Sequence, residues 1–167
     1  MIKKKILFVC MGNICRSPAA EGIAKKILEE KGLNGTIEID SAGTLDYHKG
    51  ELPDQRMIRH ASKRGYTLDS AARQFNPSTD FEKFDYIITM DNNNYSAITS
   101  LDRKDKYKDK VFKIVTFSKK IKVNEVPDPY YSGSQGFEFV LDILEDAVEE
   151  VINKVEDDIR RENKNQV

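Results

Sequence analysis

A cysteine and an arginine frame the segment Cys10-Met11-Gly12-Asn13-Ile14-Cys15-Arg16-Ser17-Pro18. Cysteine supplies a thiolate nucleophile, and arginine a planar fork that grips two oxygens of one phosphate. A tight loop at a helix N-terminus turns backbone N–H groups toward an oxyanion. The chemistry implied is phosphoryl transfer through Cys10. Such a reaction also needs a proton donor for the leaving oxygen, and Val126-Pro127-Asp128-Pro129-Tyr130-Tyr131 offers one. Two prolines keep Asp128 out of helix and sheet and stiffen its backbone, while two aromatics beside it could wall a slot. Simpler readings exist: buried structural cysteines for the first segment, and a plain turn for the second. Neither accounts for Gly12 and Arg16 in one loop, or for the tyrosine pair.

The elements needed to position these groups are visible in the pattern. Ile6-Leu7-Phe8-Val9 is a continuous apolar run, as in a strand buried on both faces of a parallel sheet. Ser17 is suited to cap a helix and Pro18 to open it, and Ala20, Ile23, Ala24, Ile27 and Leu28 then recur with helical spacing. A second strand is expected over Ile37–Ser41, a loop over 43–53, and a helix over Gln55–Arg64 that stops at Gly65. A strand over Tyr86–Met90 leads to a helix over Asn92–Leu101. The charged run Asp102–Lys110 reads as a solvated loop, and Lys110–Val115 as the last strand. Phe137, Val140, Leu141, Leu144, Val148, Val151, Ile152, Val155 and Ile159 then line one face of a long helix. Alternating β and α elements imply a doubly wound parallel sheet with its ligand beyond the carboxyl ends of the strands. The Cys10 loop lies there.

The chain has 167 residues, of which 33% are charged, with a formal net charge of −1. One domain is expected over residues 1–160, followed by a polar tail, 161–167, that frays. The balanced charge argues against nucleic acid and acidic membranes as partners. The apolar run after Lys3-Lys4-Lys5 is too short for a signal segment or a membrane span. Two cysteines on one loop are not a secreted disulfide framework, so a cytoplasmic protein is expected. His48 and His60 lack metal-ligand spacing and read as surface or structural residues, and no metal or other cofactor is expected.

The chain resembles the low-molecular-weight protein tyrosine phosphatases over essentially its full length. The resemblance is carried by Leu7–Pro18, Ser41-Ala42-Gly43-Thr44, Pro53-Asp54-Gln55-Arg56, Ala72-Arg73-Gln74, Asp85-Tyr86-Ile87 with Met90-Asp91, and Asp128-Pro129-Tyr130-Tyr131. It implies a flavodoxin-like sheet of four parallel strands flanked by helices on both faces. It also implies that Cys10 attacks phosphorus to form a phosphocysteine, its thiolate favoured by loop N–H groups, helix dipole and Arg16. Arg16 would hold the phosphoryl oxygens, and Asp128 would act as acid and then as base. Met11, Gly12, Asn13, Ile14 and Cys15 would complete the phosphate loop, and Ser17 would hydrogen-bond the Cys10 sulfur. Asn13 would take a left-handed conformation held by Ser41 and by a histidine. That histidine is missing; Ser70 offers a hydroxyl at its place, or a water fills the gap. Tyr47 and Tyr130 would face each other across the substrate slot, although Tyr47 reads equally well as an exposed loop aromatic. Asp54, Arg56 and Asp91 would brace loops. Cys15 would be a redox partner that protects Cys10 by a reversible disulfide.

The resemblance implies phosphotyrosine proteins as substrates, without selecting between bacterial tyrosine kinases and other signalling proteins. No self-complementary apolar stripe is evident, consistent with a monomer or weak dimer. Thioredoxin-linked arsenate reductases resemble the same loop, but need two further cysteines and none follows Cys15. Protein-arginine phosphatases carry threonine where this chain has Ile14, and an apolar side chain there suits a phenyl ring better. A phosphate-binding module without catalysis would be expected to lack Cys10 or Asp128, and both are present.

Overall fold

A computed structural model of the protein describes residues 2–166. Its centre is β1 (Lys4–Cys10), whose alternating side chains divide the molecule. Ile6, Phe8 and Cys10 enter one apolar core, while Leu7 and Val9 enter a second on the opposite face. A strand with period two and no polar face can exist only where both sides are covered, which the apolar run requires. The sheet order is β2-β1-β3-β4, with β2 at Ile37–Gly43, β3 at Tyr86–Thr89 and β4 at Val111–Lys113. All pairings are parallel, and Phe8 lies opposite both Ser41 and Ile88.

The larger core lies under α1 (Arg16–Lys31), α2 (Gln55–Lys63) and α5 (Ser134–Asn165), where Ile23 and Leu28 meet Leu144, Val148 and Ile152. The smaller core holds Phe75, Phe81, Phe84 and Ile98, under α3 (Asp80–Lys83) and α4 (Asn92–Leu101). This is the four-stranded, doubly wound arrangement the sequence implies. Among the described residues no helix is long and apolar enough to cross a membrane.

Three local expectations are corrected. The last strand is only Val111–Lys113, because Ile114 turns into the larger core and starts a 3-10 segment, Ile114–Phe117. The charged run is not simply a solvated loop: buried Asp102 accepts hydrogen bonds from the Lys106 and Tyr107 amides, and Tyr107 stacks on Phe81 at 5.0 Å. The polar end does not fray at Arg160; α5 continues to Asn165, and Glu162 is 2.9 Å from Lys4 on β1.

Candidate active site

Three sheet ends meet at the site: the ends of β1 at Cys10, of β2 at Gly43, and the residues Met90-Asp91 just past β3. Between β1 and α1 the carbonyls of Cys10, Met11 and Ile14 accept hydrogen bonds from the amides of Thr44, Leu45 and Asp54, at 2.9, 3.0 and 2.8 Å. In a trans peptide the N–H opposes the preceding C=O, and none of the peptides is cis. The N–H groups of Met11, Gly12 and Cys15 therefore point away from those partners, into the hollow of the loop. Gly43 is required for the loop to lie this close, since a Cβ there would sit 2.7 Å from the Met11 carbonyl oxygen. Asn13 turns the chain at φ +57, the left-handed region that asparagine tolerates.

The helix opens two residues earlier than expected. Cys15, not Ser17, occupies the N-cap position and provides no side-chain cap. The Ser17 hydroxyl is engaged elsewhere, 3.0 Å from Cys10 Sγ and accepting from Asn13 Nδ2 at 2.8 Å, so it cannot cap the helix. The uncapped first turn keeps its N–H groups and positive dipole end for an anion.

Arg16 is buried, and its Nη1 donates to Asp91 Oδ2 at 2.6 Å and to the Val126 carbonyl at 3.0 Å. Burial alone would lower the guanidinium pKa; the negative charge of Cys10, Asp91 and Asp128 more than offsets it and raises it. Asp91 is itself fixed, because its Oδ1 accepts from the Asn94 amide in the capping box of α4. On the cleft side, Arg16 Nη2 lies 3.6 Å from Asp128 Oδ2. The Tyr130 amide donates to Asp128 Oδ1 at 3.0 Å, a turn that orients the carboxylate. Cys15 is buried, and burial, reinforced by Asp54, Cys10 and Asp128, pushes its thiol well up, so it stays neutral at ordinary pH.

Above Cys10, Arg16 and Asp128 opens a cleft of about 320 Å³, walled by Met11, Ile14, Leu45, Tyr47, His48, Tyr130 and Tyr131. Tyr47 and Tyr131 are almost fully exposed, while Tyr130 is partly covered. Arg56 lies 5.3 Å from the Tyr130 ring centre and 4.9 Å from that of Phe137, and its Nη2 donates to Asp54 Oδ2 at 2.8 Å. That bond holds the Asp54 carboxyl below the usual carboxylate range.

Sequence reasoning missed one part of the cleft wall. His48 was read as surface or structural, yet it lines the cleft against Gly12, with its ring 4.9 Å from Tyr47 and 6.5 Å from Tyr130. His60, by contrast, is structural, stacked on Phe137 at 5.5 Å. The loop support also differs in detail. Asn13 Nδ2 donates to Ser41 Oγ at 2.9 Å, and Asn13 Oδ1 accepts from the Arg73 amide at 3.0 Å. Ser70 does not replace the missing histidine at Asn13; its hydroxyl donates to Glu21 Oε1 at 3.0 Å. Glu21 carries no sequence signal of its own, being one acid on a helix with several. Among the described residues, no three His, Cys, Asp or Glu side chains are grouped to hold a metal ion.

The family profile of the low molecular weight phosphotyrosine protein phosphatases matches residues 5–163. A Synechocystis sp. relative, itself assigned to the low molecular weight protein-tyrosine-phosphatases, is 51% identical, covering 86% of this chain and 90% of its own. The crystal structure of a protein tyrosine phosphatase from Entamoeba histolytica, with Hepes in its active site, superposes with a TM-score of 0.88. It is 49% identical, over 93% of this chain and 98% of that one. A Drosophila arginine phosphatase shares the fold at a TM-score of 0.83 and 27% identity, over 90% of this chain and 97% of that one. Profile, relatives and fold agree over nearly every residue, and the protein belongs to the low-molecular-weight protein tyrosine phosphatases, with Cys10 and Arg16 at the positions of the family's Cys-x5-Arg loop.

Proposed function

We propose that Cys10, Arg16 and Asp128 carry the phosphatase reaction in two steps. Cys10 attacks phosphorus and the phenolic oxygen leaves with the proton of Asp128. Water, deprotonated by Asp128, then attacks the phosphocysteine and releases phosphate and the Cys10 thiolate. Arg16 and the N–H groups of residues 11–15 hold the phosphoryl oxygens throughout, and Ser17 donates toward the departing sulfur. One observation carries this reading: Arg16, anchored by Asp91, bridges the loop of Cys10 to Asp128 at 3.6 Å. Nucleophile, clamp and acid thus surround one cleft.

Tyr47 and Tyr130 flank the ring of a phosphotyrosine, and Ile14 favours that ring over a guanidinium. His48, between them, adds to the wall. The substrates we assign are phosphotyrosine proteins, whether bacterial tyrosine kinases or other signalling proteins. The enzyme is placed in the cytoplasm as a monomer or weak dimer, with residues 1–160 as its catalytic domain and 161–167 as a polar extension. The balanced charge and the absence of a secreted cysteine framework support that placement.

The test is hydrolysis of para-nitrophenyl phosphate with chelator present, beside phosphotyrosine, phosphoserine and phosphoarginine peptides. Cys10→Ser abolishes turnover but still binds vanadate. Asp128→Asn slows a substrate with a poor leaving group by about 10²–10⁴-fold and one with a good leaving group far less. Equal losses on both substrates remove Asp128 from the acid role. Faster cleavage of phosphoarginine than phosphotyrosine overturns the assigned specificity.

A further inference from the structure

The charged run between α4 and β4 is held in one shape by anchors that a solvated linker does not need. Buried Asp102 accepts from the Lys106 and Tyr107 amides at 3.0 and 2.8 Å, and Lys110 Nζ donates to the Phe81 carbonyl at 2.8 Å. A 3-10 turn, Lys108–Lys110, then leads into β4. What this fixed loop displays is positive charge: Arg103, Lys104, Lys106, Lys108 and Lys110 stand against Asp105 and Asp109. Arg103, Lys104 and Lys108 are exposed, and among the described residues no carboxylate pairs with any of the three. By contrast, Lys4 pairs with Glu162, Lys31 with Glu156, and Arg64 with three acids of α5. Like charges fixed side by side repel. An anionic partner relieves that repulsion on binding without first having to order the loop.

Charge is also divided between the two faces of the sheet. Tyr107 packs on the smaller core, so the loop lies on the side of α3 and α4. The larger core is covered by α5, which carries ten carboxylates against four cations. The net charge of −1 hides this separation. A long polyanion such as a nucleic acid is repelled by the acidic side, whereas a short acidic segment senses only the loop. The loop's aromatic is already engaged: Tyr107 stacks on Phe81, with Lys106 and Lys110 at 5.3 and 5.4 Å from its ring centre, and offers no open face to a base. In a parallel sheet the loop ahead of β4 lies at the end opposite the cleft, with the ten residues of α4 between them. Such a helix is about 15 Å long, a distance that about five extended residues span.

We propose that the Arg103–Lys110 loop is a docking surface for an acidic segment of the phosphoprotein substrate, engaged while its phosphotyrosine occupies the cleft. The proposal rests on the phosphatase reading of that cleft. The contact is the same before and during the chemical step, so it lowers KM and leaves kcat unchanged. A small aryl phosphate does not reach the loop and gains nothing from it.

The experiment compares two phosphotyrosine peptides, each joined by a glycine-serine linker of about ten residues to a run of glutamates or of glutamines. With wild type the glutamate run lowers KM about fivefold, the worth of a few exposed ion pairs, and the advantage disappears at about 1 M salt. The triple variant Arg103→Glu, Lys104→Glu, Lys108→Glu erases the advantage but turns over para-nitrophenyl phosphate as wild type does. Lys63→Glu, an exposed change on α2 across the sheet, leaves the advantage intact. Fluorescence anisotropy gives a readout free of catalysis: the unphosphorylated glutamate peptide binds wild type and not the triple variant. Absence of turnover with both peptides therefore strikes the phosphatase reading, and the binding measurement still decides the surface. Equal KM for the two peptides, an advantage that survives the triple variant, or tighter binding of a single-stranded oligonucleotide of equal charge overturns the proposal.

Discussion

Arg16 shows at the scale of one residue how a flexible side chain becomes a fixed tool. Its Nη1 is committed to Asp91 and the Val126 carbonyl, so the guanidinium cannot swing away when a phosphate leaves. A clamp ordered in advance spends no entropy at the moment of reaction. Cys15 illustrates the opposite case, a reactive atom kept quiet. Burial and the Asp54 carboxylate hold its thiol in the neutral form, so it does not compete with Cys10 for substrate. We expect it to act only after oxidation. Peroxide takes the Cys10 thiolate to a sulfenic acid with release of hydroxide, and the Cys15 thiol condenses with it to a disulfide and water. Activity lost to peroxide then returns with dithiothreitol in wild type and stays lost in Cys15→Ser, a contrast read by assay after each treatment. Equal recovery in both proteins would dismiss the bridge.

At the scale of elements, the helix ends carry the design. The first turn of α1 has no side-chain cap and faces the phosphate loop, whereas α2 and α4 are capped by Asp54 and Asp91. Each of those caps also holds an arginine: Asp54 binds Arg56 beneath Tyr130, and Asp91 binds Arg16. Asp54→Ala is expected to cost about 0.5–2 kcal/mol in urea unfolding at neutral pH, the usual worth of such a cap. The Asp54 carboxyl titrates lower in the folded protein than in the unfolded chain. Its contribution is therefore complete above the unfolded carboxylate value of about 3.9 and is lost as pH falls through the lower folded value. The gap between wild type and Asp54→Ala should shrink along that descent; a gap independent of pH would assign the effect to packing. The helices behind these caps were legible in advance from their residue patterns, whereas the capping by Asp54 and Asp91 shows only in the structure. The length of β4 was not legible either, since Ile114 leaves the sheet only because the larger core has room for it.

For the whole molecule, the sheet order places β1 between β2 and β3, so the loop after it is bordered by both neighbours. The two cores on either face of β1 make this placement rigid. Phe137, 1% exposed, joins the larger core to the cleft wall, with His60 stacked on its ring and Arg56 beside it. Phe137→Ala is expected to lower stability by about 3–5 kcal/mol, read as a fall in the urea midpoint. It also loosens the Arg56–Tyr130 stack, so KM for a phosphotyrosine peptide rises. A loss below about 1 kcal/mol would show that the site collapses around the missing ring.

What the amino-acid sequence determined by itself is whatever neighbours in the chain decide together. The apolar run of β1, the glycine-bearing loop, the helix after it and the pairing of Cys10 with Arg16 all lie within one short segment. Local hydrogen bonding and side-chain period are enough to make such a segment legible. The tertiary structure alone decided which distant groups serve that loop. Asp91 reaches Arg16 across 75 residues, the Arg73 amide reaches Asn13 across 60, and Ser70 reaches Glu21 across 49. Asp91 and Ser70 were expected to support loops by resemblance, but the partner each takes follows only from burial that leaves a polar atom one available partner.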